Sequence, residues 1–434
     1  GILFTLSWWI PFLLLLGTLP ALGIALRTTR IKQKWRLDNT IERRRLNYYN
    51  RMLSDDKAMP ELRIFGLGEH FKNAYSDLRK RLREESLAIL RRGLWKKTGT
   101  NIFGLLTLAL MLSWMGWSAL QGSLDLGEIV MFWQAMNKGR GLVRNLFFGF
   151  DTLYNDLIFL DDLFTFLGLE AQVVDPAVPV EVPAGLRRGI GVRNITFQYP
   201  DSDLIALKNY SLVIPKGKIV AIVGENGAGK STLIKLLCRF YDPQEGRITW
   251  DGVDIREMAQ EDLRQRITIL FQRPLSFFES VEDNIRFGDL HNKPTREDVI
   301  IAAKSSNSHE FIKKFPDDYD TVLGKQFGKA ELSIGEWQRV ALARAFVRKA
   351  DFVILDEPTS AMDSWAETEW MARFRDLVKE RTALIITHRF TTAMQADIIH
   401  VMVNGSIIES GTHAELVNLD GHYALSWREQ MKNG

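Results

Sequence analysis

Apolar and polar positions divide this chain into two halves. Gly1 to Leu26 and Thr98 to Leu124 hold no charged residue, and each run exceeds the ~20 residues with which an α-helix crosses ~30 Å of hydrocarbon. Both runs predict membrane-spanning helices. A signal peptide fits the first run poorly, because the run is too long and has no basic n-region. A third apolar stretch follows Gly127, through Ile129-Val130-Met131-Phe132-Trp133 and on to Phe147-Phe148-Gly149-Phe150, interrupted by Lys138, Arg140 and Arg144. Charges inside a span normally face protein or a watery cavity; the competing reading of this stretch is a cytosolic amphipathic helix.

The segment between the first two runs reads as long helices. Leu78, Leu82, Leu87 and Leu90 recur near helical spacing, and Pro60 with Phe65-Gly66-Leu67-Gly68 breaks the pattern near the middle. Two projecting helices joined by a turn or short cross-helix fit this text, as does an ordinary αα-hairpin. Between Arg27 and Lys97 there are 20 Lys+Arg against 9 Asp+Glu, crowded toward both ends. By the positive-inside rule the segment is cytoplasmic, which puts Gln121–Gly127 outside. Gly1 then also lies outside with no signal to carry it there, and the chain starts with Gly rather than Met. The reading is therefore of a chain preceded by further spans.

From Val173 to Gly191 the text becomes VVDPAVPVEVPAGLRRGIG, proline-rich and without helical period. Such text behaves as an extended spacer. The domains expected are a partial transmembrane unit over 1–170, a linker over 171–189 and a soluble unit over 190–434. In the soluble unit the apolar runs Ile219–Val223, Ile267–Leu270, Phe352–Leu355 and Ala383–Thr387 alternate with helical stretches. Strands buried on both faces in this alternation predict a mainly parallel sheet covered by helices.

The first of those runs leads into GENGAGKST, Gly224 to Thr232, and then LIKLLCRF. Strand, then G-x-x-x-x-G-K-[ST], then helix is the context of a phosphate-binding loop. Gly224, Gly227 and Gly229 let the backbone aim N–H groups at phosphates, Lys230 reaches β/γ-phosphates, and the Ser231 hydroxyl suits Mg²⁺. Phe352–Leu355 ends in Asp356-Glu357. A carboxylate there suits Mg²⁺, and Glu357 beside it suits polarising a water for attack on the γ-phosphate. A fourth run ends in His388, within reach of a γ-phosphate.

Composition narrows the field further. The chain has 434 residues, 46% hydrophobic and 25% charged, with 13 Pro; disorder and collagen-like repeats are excluded, and the length allows two or three domains. One cysteine, Cys238, excludes an internal disulfide and a Cys-based zinc cluster, and on the helix after the phosphate loop it reads as core rather than as a reactive thiol. A net charge of +3 over this length is weak support for a nucleic-acid partner, and none is expected.

The ordered motifs resemble one family, the ATP-binding cassette transporters, in the form of a half-exporter with its membrane part fused ahead of the cassette. The expected fold is an α-helical transmembrane bundle followed by an α/β P-loop ATPase cassette with a helical subdomain. The likeness rests on Tyr199 in FQYP, the loop GENGAGKST, Gln272 in LFQRP, LSIGEWQR over Leu332–Arg339, Asp356-Glu357 in VILDEP, Asp363 in SAMD, His388 in ITHR and the late segment NGSIIESGTHAEL. It implies ATP and Mg²⁺ as ligands. Tyr199 is similar to the aromatic that stacks on adenine; Gly224, Glu225, Asn226, Gly227, Ala228, Gly229, Lys230, Ser231 and Thr232 form the phosphate loop. Ser231, Gln272 and Asp356 would hold the metal, and Glu357, Gln272 and His388 would serve catalysis. Ser333, Gly335 and Asp363 would reach nucleotide across a head-to-tail pair of cassettes. Ile334 and Glu336 depart from the LSGGQ signature, where Gly and Gln are usual.

The same resemblance implies a second half-transporter as partner, an exported substrate, contact with membrane lipid and alternating access driven by ATP. It places the protein in the cytoplasmic (inner) membrane of a prokaryote, multi-pass, with the ATPase in the cytoplasm, and makes residues 1–26 the fourth of six spans. ELRIFGLGE, Glu61 to Glu69, resembles the second coupling helix. Trp337 and the insert between Gly324 and Leu332 resemble the lantibiotic and bacteriocin exporters, so peptide cargo is expected, with lipid or hydrophobic drug export as the alternative. A soluble cassette ATPase of DNA repair or translation is the reading that the apolar runs disfavour.

Overall fold

The computed structural model describes residues 10–121, 126–183, 185–325, 327–328, 330–359, 374–375, 378 and 381–433. The chain forms two compact units, Gly1–Leu169 and Glu170–Gly434. The first is helical. Its elements are α1 (Ile10–Asp38), α2 (Thr40–Ser54), α3 (Met59–Ile64), α4 (Gly68–Leu120) and α5 (Leu126–Leu167). α3 is the cross-helix: Pro60 sits at its start, where a missing N–H costs nothing. Beyond its end Gly66 takes φ 64°, the left-handed turn that glycine accepts without penalty. The segment 61–69 therefore comprises the end of a short helix, a turn and the first residues of α4.

Among the described residues one helix, Gly68–Leu120, is long and apolar enough to cross a membrane. It contains residues 98–120 of the second uncharged run; residues 1–9 of the first run and 122–124 of the second lie outside the described residues. Lys138, Arg140 and Arg144 lie along α5. α1 and α4 meet at small residues. A Cβ added at Gly17 would stand 2.7 Å from Thr107 Oγ1, and one at Gly93 would stand 2.8 Å from Thr28 Cγ2. With lipid on the outside there is no hydrophobic gain from pairing helices, so close backbone approach at such residues is what holds them. Toward the polar end, Trp35 Nε1 donates to Glu85 Oε2 at 2.9 Å and Arg81 pairs with Glu42 at 3.2 Å.

The second unit has two sheets. The parallel one runs β10 (Ser406–Gly411), β9 (Ile398–Val403), β3 (Ile219–Gly224), β8 (Thr382–Ile386), β7 (Phe352–Asp356), β6 (Ile267–Leu270) in space, and only β10 is antiparallel to its neighbour. β7 and β8 are buried along their whole length, as expected of strands covered on both faces. The other sheet is antiparallel, in order β2 (Ile205–Pro215), β1 (Gly189–Gln198), β4 (Glu245–Trp250), β5 (Val253–Asp254). Its outer strand β2 exposes alternate residues over Tyr210–Ile214, and register breaks near Asn194 in β1, where the backbone takes φ 50°. One apolar cluster joins the two sheets through Phe197, Leu207, Val220, Leu233, Trp250 and Phe352. A separate cluster under Val281, Val299, Tyr319 and Val340 is the core of a helical region. That region is built from α8 (Val281–Arg286), α9 (Arg296–Ser305) and α10 (Ile334–Val347), the labels α6 and α7 belonging to Lys230–Leu237 and Gln260–Gln265.

Candidate active site

Three strands of the parallel sheet end at one place. β3 delivers Gly224, β7 delivers Asp356 and β8 runs out at Ile386, with Asp356 in register beside Ile386. In open α/β sheets ligands bind at this carboxyl edge. The loop from Gly224 to Gly229 crosses it and turns into α6, whose cap Gly229 has φ 103°. A Cβ there would be strained by conformation and would stand 2.7 Å from Ala206 O. At Gly224 a Cβ would run into the Met402 carbonyl of β9. The loop thus needs glycine at these positions for its path against neighbouring backbone, independent of any ligand.

Lys230, the first residue of α6, is buried, and its ammonium donates to Gly224 O at 2.6 Å and Glu225 O at 2.8 Å. Burial pushes its pKa down, against the opposing pull of Glu357, Asp356 and Glu225. Glu225, Asn226 and Gly227 lie exposed on the loop, Ala228 is buried, and Ser231 is exposed beside Lys230. Thr232 is buried, and its hydroxyl shares a 3.1 Å hydrogen bond with Tyr199 Oη. Tyr199 also meets Phe197 and Tyr241 edge-on, at 5.0 and 5.4 Å, and Lys235 Nζ stands 4.9 Å from its ring centroid. The phosphate loop and the aromatic predicted for adenine are therefore joined directly.

Asp356 and Glu357 are both buried. Burial, reinforced by the Glu357 charge, raises Asp356 to about 6, while Lys230 pulls the other way. A buried carboxylate pair with one ammonium nearby is short of positive charge. Glu357 adopts φ 51°, an uncommon left-handed conformation for a non-glycine residue. It is held by Glu357 N donating to Ile386 O at 2.8 Å and by Gln338 Nε2 donating to Glu357 O at 3.2 Å. Its carboxylate accepts from Gln272 Nε2 at 2.7 Å on Oε2, and His388 Nδ1 lies 3.1 Å from Oε1.

Gln272 and His388, which follow β6 and β8, are thus gathered on Glu357 at the end of β7. Gln338 was missed by sequence reasoning, because a glutamine on a helix is ordinary until its burial and its bond to Glu357 O are seen.

Hard oxygen donors suit Mg²⁺, and the Ser231 hydroxyl, the Asp356 carboxylate and the Gln272 amide oxygen form such a set. The surplus negative charge at Asp356-Glu357 makes the site fit a cation. No cluster of three or more His, Cys, Asp or Glu suited to a metal occurs among the described residues.

Ser333 and Gly335 open α10. Ser333 Oγ accepts from Glu336 N at 3.3 Å, and Glu336 Oε2 accepts from both Ser333 N and Ser333 Oγ at 2.8 Å. This is a capping box, and Glu336, the departure from the usual signature, completes it. Ile334 at its start is 83% exposed. Asp363 lies outside the described residues. Cys238 is buried, with its thiol pushed up to about 12.

A glycine-rich loop leading from a parallel strand into a helix, with an acidic strand end and a glutamine beside it, defines a P-loop nucleotide hydrolase. The ABC transporter family profile matches residues 207–360. Over 430 residues the chain is 34% identical to the ATP-dependent lipid A-core flippase of Chromohalobacter salexigens, covering 98% of this chain and 72% of the flippase. It is also 34% identical over 372 residues to a Bacillus subtilis ATP-binding/permease protein named for multidrug export, covering 85% of this chain and 62% of that one. Among solved structures it resembles a bacterial Atm1-family ABC exporter with ATP bound, at a TM-score of 0.80 and 30% identity, covering 96% of this chain and 73% of that chain. The chain belongs to the ABC transporters, as an exporter half with a helical membrane unit and an ATPase cassette in one polypeptide, coupling ATP hydrolysis to transport. These relatives are named for lipid A-core and drug export, not for peptides, so they favour the alternative cargo over the expected peptide.

Proposed function

We propose that this protein, paired with a second half, exports a lipid or hydrophobic amphiphile across the cytoplasmic membrane. The observation that carries the catalytic part is the cluster at the strand ends, where Glu357 is gripped by Gln272 and His388 beside the phosphate loop. The cargo reading is supported by relatives named for lipid A-core and multidrug export.

In this reading Lys230 exchanges the carbonyls of Gly224 and Glu225 for β/γ-phosphate oxygens, and the loop N–H groups and the start of α6 add positive potential. The Tyr199 ring receives adenine. Ser231, Asp356 and Gln272 would hold Mg²⁺, which when bound would neutralise charge building on the phosphates. Glu357 takes the proton of the attacking water, for which burial and a fixed carboxylate are favourable. His388 reaches the γ-phosphate. Ser333 and Gly335 from one cassette close over nucleotide held by the other, together with Asp363.

The test is reconstitution of the full transporter, with its partner half, in vesicles containing a fluorescent phospholipid. Mg-ATP added outside is expected to drive lipid from the leaflet on the cassette side to the opposite leaflet, and ATP turnover is expected to rise with amphiphilic lipid or drug. Stimulation by a leader-bearing peptide alone, with no lipid or drug effect, would return the cargo to peptide.

A further inference from the structure

The C-terminal end of α6 is as closely built as its phosphate-binding start. Its last turn leads to Arg239, whose side chain is 1% exposed and whose backbone holds φ 49°. A non-glycine residue stays in that conformation only where its surroundings fix it. The Arg239 guanidinium donates to Met258 O at 2.7 Å, to Val174 O at 2.9 Å and to Asp242 Oδ1 at 3.3 Å, with the Asp175 carboxylate 3.6 Å away. A buried guanidinium needs such partners, since an unpaired one is expensive.

Val174 and Asp175 belong to the proline-rich linker, a few residues beyond the end of α5 at Leu167. A second side chain holds the same stretch. Gln260 Nε2 donates to Val173 O at 3.2 Å and Gln260 N to Asp175 Oδ1 at 3.0 Å. Gln260 Oε1 accepts from Arg264 Nη2 at 2.8 Å, and Arg264 in turn donates to Cys238 O at 3.2 Å and Arg239 O at 2.8 Å. Farther along, Val180 N donates to Glu257 O at 2.7 Å. The linker is therefore not a free tether over 173–180.

We propose that Arg239 and Gln260 are positioning residues that latch the linker to the end of the phosphate-loop helix, so that nucleotide binding at one end of α6 is felt by the chain segment continuing from α5. An eight-residue helix is a strut of about 12 Å. A shift at its phosphate end is passed to its far end as a rigid-body movement, where Arg239 fastens the Val174 carbonyl and Arg264 ties in Gln260, which holds the carbonyl of Val173. The latch provides a route from the site toward the helical unit through the covalent linker. It rests on the reading of residues 224–232 as a nucleotide-phosphate site.

The experiment is amide hydrogen exchange on the full transporter with its partner half, with and without Mg-AMP-PNP. In the unaltered protein the nucleotide protects residues 224–232, and exchange at Val180 and Gln260 slows by about threefold or more. In Arg239→Gln the loop is still protected while the linker response disappears. A linker response as large in Arg239→Gln as in the unaltered protein overturns the latch, as does a protected loop with no linker response in the unaltered protein. Absence of loop protection in the unaltered protein overturns the nucleotide site itself and the latch with it. Should Arg239→Gln fail to fold, Gln260→Ala leaves Arg239 in place and is expected to reduce the linker response by about half or more; an undiminished response overturns the proposal.

Discussion

Gln272 donates its amide to Glu357 Oε2 at 2.7 Å while His388 Nδ1 stands 3.1 Å from Oε1, so two residues that follow separate strands fix one carboxylate at the end of a third. A carboxylate held at both oxygens has one orientation at the edge of the phosphate loop.

Replacing Glu357 by Gln keeps the shape and the Gln272 contact but removes the proton acceptor. ATP turnover is expected to fall by about 100-fold or more, with ATP retained by the protein on gel filtration. Unchanged phosphate release would remove Glu357 from the mechanism.

Gln272→Ala frees Glu357 Oε2 without altering the phosphate loop. Turnover is expected to fall about tenfold, equivalent to about 1.4 kcal/mol of transition-state stabilisation. Nucleotide affinity, read by equilibrium dialysis, should change far less. A loss confined to affinity would instead make Gln272 a binding group alone.

Glu336 places a carboxylate at the start of α10 and binds the Ser333 hydroxyl through it. A helix N-terminus favours the charge, but a phosphate brought to the same end would be repelled by it. Glu336→Gln is expected to raise steady-state ATP turnover by about threefold at low salt, with a smaller gain at high salt. Equal rates at both salt concentrations would show that the carboxylate lies out of reach of nucleotide.

His400 on β9 is buried, with Nδ1 sharing a 2.7 Å hydrogen bond with Ser410 Oγ and Nε2 without a partner among the described groups. Burial pushes it down to about 4 from 6.5. The unfolded chain therefore takes up a proton first, and stability present above about pH 6.5 is lost as pH falls toward about 4. Between about pH 7.5 and about pH 5 the loss is roughly 2 kcal/mol, measured as the unfolding midpoint in denaturant. His400→Leu should flatten this part of the profile.

The parallel strands were legible because burial on both faces leaves uninterrupted apolar text, as in Phe352–Leu355 and Ala383–Ile386. The antiparallel sheet was not. β1 and β2 mix Arg193, Asn194, Lys208 and Asn209 into their strands and break register, so neither alternation nor a continuous apolar run survives. The cross-helix showed through Pro60 and Gly66, which act on their own backbone. Gln338 and Arg239 gave no local signal: a polar residue near a helix end is ordinary until its burial and partners are seen.

The phosphate loop, the acidic strand end and the order of motifs can be read along the chain, because each is a contiguous stretch whose function depends on its own backbone and neighbours. Tertiary structure decided which side chains meet. Gln272 and Glu357 are 85 residues apart, and Arg239 and Val174 are 65 apart. Their contacts exist because the strand order sets β6 beside β7 and β7 beside β8, and because the end of α6 comes to lie against the linker. Hydrogen bonds at such separations follow from where packing brings the chain, and no local period or propensity encodes them.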